Sequence, residues 1–283
     1  VLGIKPVFAD IKSDTLNINP ELVERLITPK TKAIVTVDFA GNPCDYRKII
    51  RIAKKHNLLL LEDACHALGA EYEERKIGGF ADMTVLSFHP VKHIATGEGG
   101  MVLTNNKNFY EKLKIYRNHG IIRKPEKGAW YYEIEKPFFN YRISDIQCAL
   151  GLSQFKKINK FIKRRREIVK IYNEEFKNLK EIIVQKEENY GRSAWHIYPV
   201  RLTGVDRMKA FGSLREQGIG VQVHYMPLHL HPFYKKTFGY KKGDFPMAEK
   251  YYNSAITLPI FPKITDKEIK YSINNLKRVV LNG

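Results

Sequence analysis

The sequence predicts an α/β domain on a mostly parallel central sheet with helices on both faces, followed by a smaller C-terminal α+β domain. Three observations carry that expectation. Short apolar runs alternate with amphipathic stretches up to Thr104, the pattern of strand–helix–strand units. Leu58 to Leu61 is apolar at every position, as expected of a strand covered on both faces. After Arg142 the apolar spacing becomes helical and stays helical to about Leu179.

In chain order, Val7 to Ile11 reads as a strand. Asn19-Pro20 opens a helix, with Asn as cap and Pro at the first helical position. Ala33 to Val37 is a partly β-branched strand, and Asp45 caps a helix that turns Ile49, Ile50, Ile52 and Ala53 inward. Leu58 to Leu61, Met83 to Phe88 and Met101 to Thr104 read as further strands. Ser144 caps one long helix to Leu179, with Ile146, Ala149, Leu150, Phe155, Ile158, Ile162, Ile168 and Tyr172 near helical spacing. The second lobe reads as strand Trp195 to Leu202, helix Asp206 to Gln217, strand Ile219 to Val223 and two C-terminal helices. A break near residues 178–182 gives a large domain over 1–180 and a small one over 181–283.

The 283 residues suffice for a large domain plus a lobe, and 43% hydrophobic content excludes a disordered chain. No apolar run approaches the ~18–20 residues that cross a bilayer, and no leader is visible at Val1-Leu2-Gly3. Cys44, Cys65 and Cys148 stand apart with no C-x-x-C pair, which argues against a disulfide scaffold and for a reducing cytoplasm. The net charge is +18, from 48 basic and 30 acidic residues. That excess admits nucleic acid, an anionic membrane or a phosphorylated substrate as partner. Much of it lies in runs such as Lys163-Arg164-Arg165-Arg166 between Ile and Phe, which reads as a solvated helix face. No nucleic-acid motif accompanies it, so neither nucleic acid nor membrane is expected as partner.

Two segments carry chemistry. Glu62-Asp63-Ala64-Cys65-His66-Ala67 follows a buried strand, at the sheet edge where open α/β proteins bind ligands. Asp63 alone could equally cap a following helix. Ser87-Phe88-His89-Pro90-Val91-Lys92 leads into Thr96-Gly97-Glu98-Gly99-Gly100, placing a lysine beside glycines that permit close approach to a ligand. It is not a Walker loop. A third segment, Gln222-Val223-His224-Tyr225-Met226 to Tyr234, is dense in His and aromatics. His224, His229 and His231 lack a Cys or carboxylate at metal-ligand spacing, so no metal is expected.

These two segments, together with Phe139-Asn140-Tyr141-Arg142-Ile143-Ser144-Asp145-Ile146-Gln147, occur in the order found in the DegT/DnrJ/EryC1/StrS family of pyridoxal-phosphate sugar aminotransferases, which the chain resembles along essentially its whole length. The resemblance implies a fold-type-I enzyme with pyridoxal 5'-phosphate as cofactor. It implies that Lys92 forms the Schiff base and serves as acid/base, with an amine pKa depressed by burial or a nearby cation. Asp63 would hold the pyridine nitrogen protonated. His66, where many members have Gln, would donate to the 3-oxygen. Ser87 would bind the phosphate or lie beside the substrate. Asn140 would reach the phosphate of the neighbouring subunit, so the enzyme would be a homodimer with shared active sites, although a turn residue before the long helix would look the same. Gln222, Val223, His224 and Tyr225 would meet the nucleotide-sugar.

The words around Lys92 and His224 are most similar to the branch that makes UDP-4-amino-4,6-dideoxy-N-acetyl-beta-L-altrosamine, on the route to pseudaminic acid. The implied reaction passes an amino group from glutamate to the C4 ketone of a nucleotide-linked 4-keto-6-deoxy sugar. Two alternatives stay open. A keto-sugar dehydratase uses the same scaffold with His in place of the lysine, and a non-catalytic regulator would only bind the cofactor. Family members also carry a further N-terminal part that supplies phosphate ligands and a ring-stacking aromatic. On that reading this chain lacks its N-terminus and binds the cofactor weakly or not at all. The sequence leaves open the sugar, the nucleotide and the stereochemistry.

Overall fold

The computed structural model describes Gly3 to Asn282; the start at Val1-Leu2, where no leader is read, lies outside it. Helix α1 (Pro20–Arg25) is capped by Asn19, whose side chain accepts from the Glu21 N–H. Strand β1 (Ala33–Val37), helix α2 (Tyr46–Lys55) and strand β2 (Leu59–Asp63) form a parallel unit. Asp45 caps α2, and Ile49, Ile52 and Ala53 of α2 pack on Ile34 and Leu60. Two short strands, β3 (Glu71–Tyr72) and β4 (Arg75–Lys76), precede β5 (Met83–Ser87), which joins β2 in parallel. Strand β6 (Gly100–Leu103) closes the sheet antiparallel to β5, giving the order β1-β2-β5-β6.

Among the described residues, β1, β2 and β5 are covered on one face of this sheet. Ile34, Thr36, Leu60, Glu62, Thr84 and Leu86 are buried, while Val35, Val37, Leu59 and Val85 stand exposed on the alternate positions; β6 exposes the consecutive Met101 and Val102. Leu58 to Leu61 is therefore apolar on both faces yet buried on one among the described residues. Strand β2 starts at Leu59.

The middle of the chain departs from the sequence reading. Helix α3 (Lys107–Arg117) and the hairpin β7 (Ile121–Arg123) with β8 (Tyr132–Ile134) were not expected. The single helix from Ser144 is two: α4 (Asp145–Phe155) and α5 (Ile158–Phe176). Lys156-Lys157 turns the chain without Gly or Pro, so apolar spacing alone cannot show the break. Ser144 and Gln147 form a capping box for α4. Helix α4 buries none of its residues, whereas α5 buries Ile158, Ile162, Arg165, Ile168, Val169, Tyr172 and Phe176.

The second core gathers α5 and a sheet of β12 (Ala255–Leu258), β11 (Tyr198–Leu202) and β9 (Ile182–Val184). Helices α6 (Arg207–Glu216) and α9 (Asp266–Asn282) complete it. Strand β10 (Gly191–Arg192) pairs with β3. Between Gly220 and the core helix lie α7 (Pro232–Phe238) and α8 (Pro246–Ser254), so three helices rather than two follow β11 and α6. Ile219 to Val223 is not a strand: Gln222 alone pairs with Thr257. Val7 to Ile11 is not one either. Phe8 instead packs among Tyr234, Tyr240 and Phe245, and the Asp10 carboxylate accepts the Met247 and Ala248 N–H groups at the start of α8. No helix among the described residues is long and apolar enough to cross a membrane.

Candidate active site

Strand β2 delivers Asp63 to the carboxyl edge of the sheet, between Val37 and Val85. The Asp38 N–H donates to the Asp63 carbonyl at 3.1 Å, and the Ala64 N–H to that of Val85 at 2.9 Å, so the chain leaves the sheet at a fixed point. Asp63 does not cap a helix. Its Oδ1 accepts the Cys65 N–H at 3.0 Å, an Asx turn, and Oδ2 has no hydrogen-bond partner among the described residues.

Strand β5 ends at Ser87, whose hydroxyl accepts the His89 N–H at 3.4 Å. The loop beyond closes on itself. The Lys92 N–H donates to His89, Thr96 N–H to Phe88 and Phe88 N–H to Gly99. Lys92 is half-buried, and no carboxylate or hydrogen bond among the described residues engages its amine. Burial pushes that amine below the usual lysine range, against the opposing pull of Cys65 and Asp63. Burial and then Asp63 raise the Cys65 thiol to about 12, so it stays protonated.

His66 is buried beside this amine. Its ring centroid lies 4.4 Å from that of His196 and 6.3 Å from that of Tyr225. Burial, reinforced by Lys92 and His224, lowers its pKa to about 3, so the ring is neutral at pH 7. Its Nδ1 is buried without a partner. His93, next in sequence to Lys92, turns away and bonds the Ala194 carbonyl through Nε2 at 3.0 Å. His224 Nδ1 bonds Thr257 Oγ1 at 2.9 Å, and Tyr225 is about half exposed.

Two features that the sequence reading missed hold these groups. Gly41 has φ +94°, and a Cβ there would stand 2.6 Å from the His66 carbonyl and 2.8 Å from the Trp195 nitrogen. Only glycine lets the turn after β1 wedge between those segments. It also makes backbone bonds there, Ala194 N–H to Gly41 and His196 N–H to Ala40. The second feature is Arg165. Its Nη1 donates to the carbonyls of Trp195, His196 and Ile260 at 3.0, 2.9 and 3.1 Å. Part of the basic run is thus interior rather than solvated. The signal was present: Arg165 stands on the stripe of Ile158, Ile162, Val169 and Tyr172, where a charge is out of place.

The structure therefore brings Lys92, Asp63, His66, His224 and Tyr225 into one neighbourhood, with Ser87 at the root of the lysine loop. Gln222 is exposed and paired through its backbone to Thr257, and Val223 is part-buried behind it. Asn140 is exposed, bridged to Asn118, and accepts the Arg142 N–H. No described contact joins it to Lys92. The set fits pyridoxal phosphate. There is a partly desolvated amine without a partner, a carboxylate oxygen left open, and a neutral imidazole with an unpartnered nitrogen.

The family model of the DegT/DnrJ/EryC1/StrS aminotransferases matches residues 1–277. An uncharacterized protein of Methanocaldococcus jannaschii, MJ1066, is 50% identical over 98% of this chain and 74% of its own length. The UDP-4-amino-4,6-dideoxy-N-acetyl-beta-L-altrosamine transaminase of Campylobacter jejuni is 38% identical over 96% of this chain and 72% of its own. Helicobacter pylori PseC, a solved aminotransferase of pseudoaminic acid biosynthesis, is 34% identical with a TM-score of 0.93, over 99% of this chain and 75% of that one. The PMP-form of the putative sugar aminotransferase Spr1654 from Streptococcus pneumoniae has a TM-score of 0.94 at 31% identity, over 99% and 77%.

Proposed function

We propose that this chain, which belongs to the DegT/DnrJ/EryC1/StrS aminotransferase family and is a pyridoxal-phosphate-dependent sugar aminotransferase, moves an amino group from glutamate to the C4 ketone of a nucleotide-linked 4-keto-6-deoxy sugar. The sugar carries an N-acetylamino group, and the product feeds surface-glycan or pseudaminic-acid-type biosynthesis in the cytoplasm. The 38% identical altrosamine transaminase and the likeness to PseC support that substrate class. The observation that carries the reading is the free, half-buried Lys92 amine grouped with Asp63 and a neutral His66.

Bound pyridoxal phosphate supplies an electron sink for charge that develops on the substrate carbon. Lys92 Nζ would hold the cofactor and move the proton at that carbon, a task that needs the neutral amine which burial favours. The Asp63 carboxylate holds a proton on the ring nitrogen. His66, neutral, would offer one N–H to the 3-oxygen, and Ser87 would offer its hydroxyl to the phosphate. His224 and Tyr225 bound the substrate side, with Gln222 and Val223 behind them. The dehydratase alternative needs an imidazole in place of the lysine. His93 is next to the lysine in sequence, and its Nε2 is bonded to the Ala194 carbonyl.

A homodimer with shared sites is part of the same reading. Ile146, Leu152 and Phe155 on α4, with Phe139 and Tyr141 beside Asn140, are exposed apolar groups that a second copy would cover. Borohydride reduction of cofactor-loaded protein followed by peptide mapping tests the assignment: a pyridoxyl group on Lys92 is expected, and one on another lysine overturns it. Mixing Lys92→Ala with Asn140→Ala protomers should restore part of the activity. Verified heterodimers without activity would refute shared sites. A panel of UDP- and dTDP-linked keto sugars, with glutamate as donor, decides the substrate.

A further inference from the structure

A second cleft of about 490 Å³, beside α5, shares no lining residue with the Lys92 cluster. One wall is a face of α5 that presents Lys163, Arg166, Glu167 and Lys170, spaced three and four residues apart. The other wall brings Lys76 of β4 and Arg192 of β10, with Glu71 between them. Five cations thus meet two carboxylates. Glu71 is taken by Lys76 at 2.6 Å and Arg192 at 3.5 Å, and Glu167 is drawn toward Arg164 at 3.5 Å. Lys163, Arg166 and Lys170 have no carboxylate within ion-pair distance among the described residues.

Like charges at this spacing repel and weaken a helix. Here the repulsion is focused on a pre-set guanidinium. Arg166 is half-buried, donating through Nε to the Ser193 carbonyl at 2.9 Å and through Nη2 to that of Arg192 at 3.2 Å. Two of its five N–H groups are spent, which fixes the plane and leaves three to donate outward. A planar fork flanked by two ammonium groups matches a tetrahedral oxyanion. Burial and the neighbouring Arg192 lower the Arg166 pKa, with Glu71 and Glu187 opposing, so a bound anion would relieve an uncompensated charge.

We propose that this cleft binds a phosphate-bearing anion, gripped by Arg166 between Lys163 and Lys170. The site is separate from the Lys92 cluster and does not depend on the function proposed above. Isothermal titration calorimetry of the full chain with inorganic phosphate, pyrophosphate and uridine diphosphate tests it. Saturable binding of pyrophosphate is expected, weakened about tenfold by Lys163→Gln with Lys170→Gln, since each removed ammonium loses a charge-assisted contact. Both lysines are exposed, so that variant should keep its circular dichroism. Arg166→Lys should weaken binding comparably, because an ammonium cannot form the fork. Lys92→Ala should leave binding intact. A preference for uridine diphosphate that Lys163→Gln with Lys170→Gln removes identifies a nucleotide as source, and equal affinity weakened by that variant identifies free phosphate; a preference the variant leaves intact belongs to the Lys92 site and overturns the proposal. Absence of saturable binding in the unaltered chain, an affinity unchanged within about twofold in the folded double variant, or loss of binding in Lys92→Ala overturns it.

Discussion

Replacing Arg165 by Met should cost about 2–5 kcal/mol of folding stability and disturb the candidate site with it. Arg165 is 3% exposed and has no carboxylate partner among the described residues; its Nη1 serves three backbone carbonyls, while its Nε is buried without a partner. Removing the guanidinium leaves three buried carbonyls without that donor, at roughly 1–3 kcal/mol each, or about 3–9 kcal/mol. Against that stands the burial of the charge. Burial pulls the Arg165 pKa well below the usual guanidinium range, to about 10, which at about 1.4 kcal/mol per pH unit is roughly 3.5 kcal/mol that Met would not incur. The difference is a few kcal/mol, a large part of the ~5–15 kcal/mol of a typical domain. Met keeps the length of the stem, so the loss reports the carbonyls rather than a cavity. One of those carbonyls belongs to Trp195, which sits at φ +48°, a left-handed conformation that a bulky residue adopts only under constraint. The assay is urea unfolding of both proteins, with pyridoxal phosphate binding followed by absorbance. Stability within about 1 kcal/mol of the parent would show that water serves these carbonyls and would refute the reasoning.

Asp63→Asn should reduce turnover at least tenfold, since a charge-assisted bond of about 1.5–3 kcal/mol is lost; turnover within about threefold of the parent would reject the role. His66 stays neutral down to about pH 3, so the acid limb of the activity profile should contain no titration near 6.5 from this ring. His66→Gln should leave the profile's shape unchanged, and a lost inflection near 6.5 would contradict that. Asp38 is buried beside Glu62, and burial first, then the Glu62 charge, raises its carboxyl well above the usual range. Its neutral form is favoured on folding, so this contribution is full below the ordinary 3.8 and is lost as pH rises through the folded value. Asp38→Asn keeps an oxygen for the Cys44 N–H and the Tyr46 hydroxyl, and should flatten the fall of the urea midpoint with rising pH. Parallel slopes in the two proteins would refute a raised carboxyl.

The elements whose signals are local were legible in the sequence by itself. Asn19-Pro20, Asp45 and Ser144 each cap a helix where read, because a cap is made by residues within one turn of each other. Strands β1, β2 and β5 announce themselves as apolar runs, and the family motifs bring Asp63, His66, Ser87 and Lys92 to strand ends and loops. Helix α5 was also visible, but not its separation from α4, since Lys156-Lys157 breaks no period. What only the tertiary structure decided depends on which distant surfaces meet. Val7 to Ile11 carries a strand-like sequence yet, among the described residues, only Ile11 makes a bridge, to Ile18, and Phe8 packs among aromatics more than two hundred residues away. Leu58 to Leu61 is apolar on two faces, and the fold buries one. Arg164, Arg165 and Arg166 are neighbours of one type in sequence, yet each advances about 100° around the helix. One pairs with Asp266, one enters the core to hold the carbonyls of Trp195 and His196, and one faces the second cleft. Composition counts three equal charges; helix geometry and the burial of one face of α5 assign them three different environments.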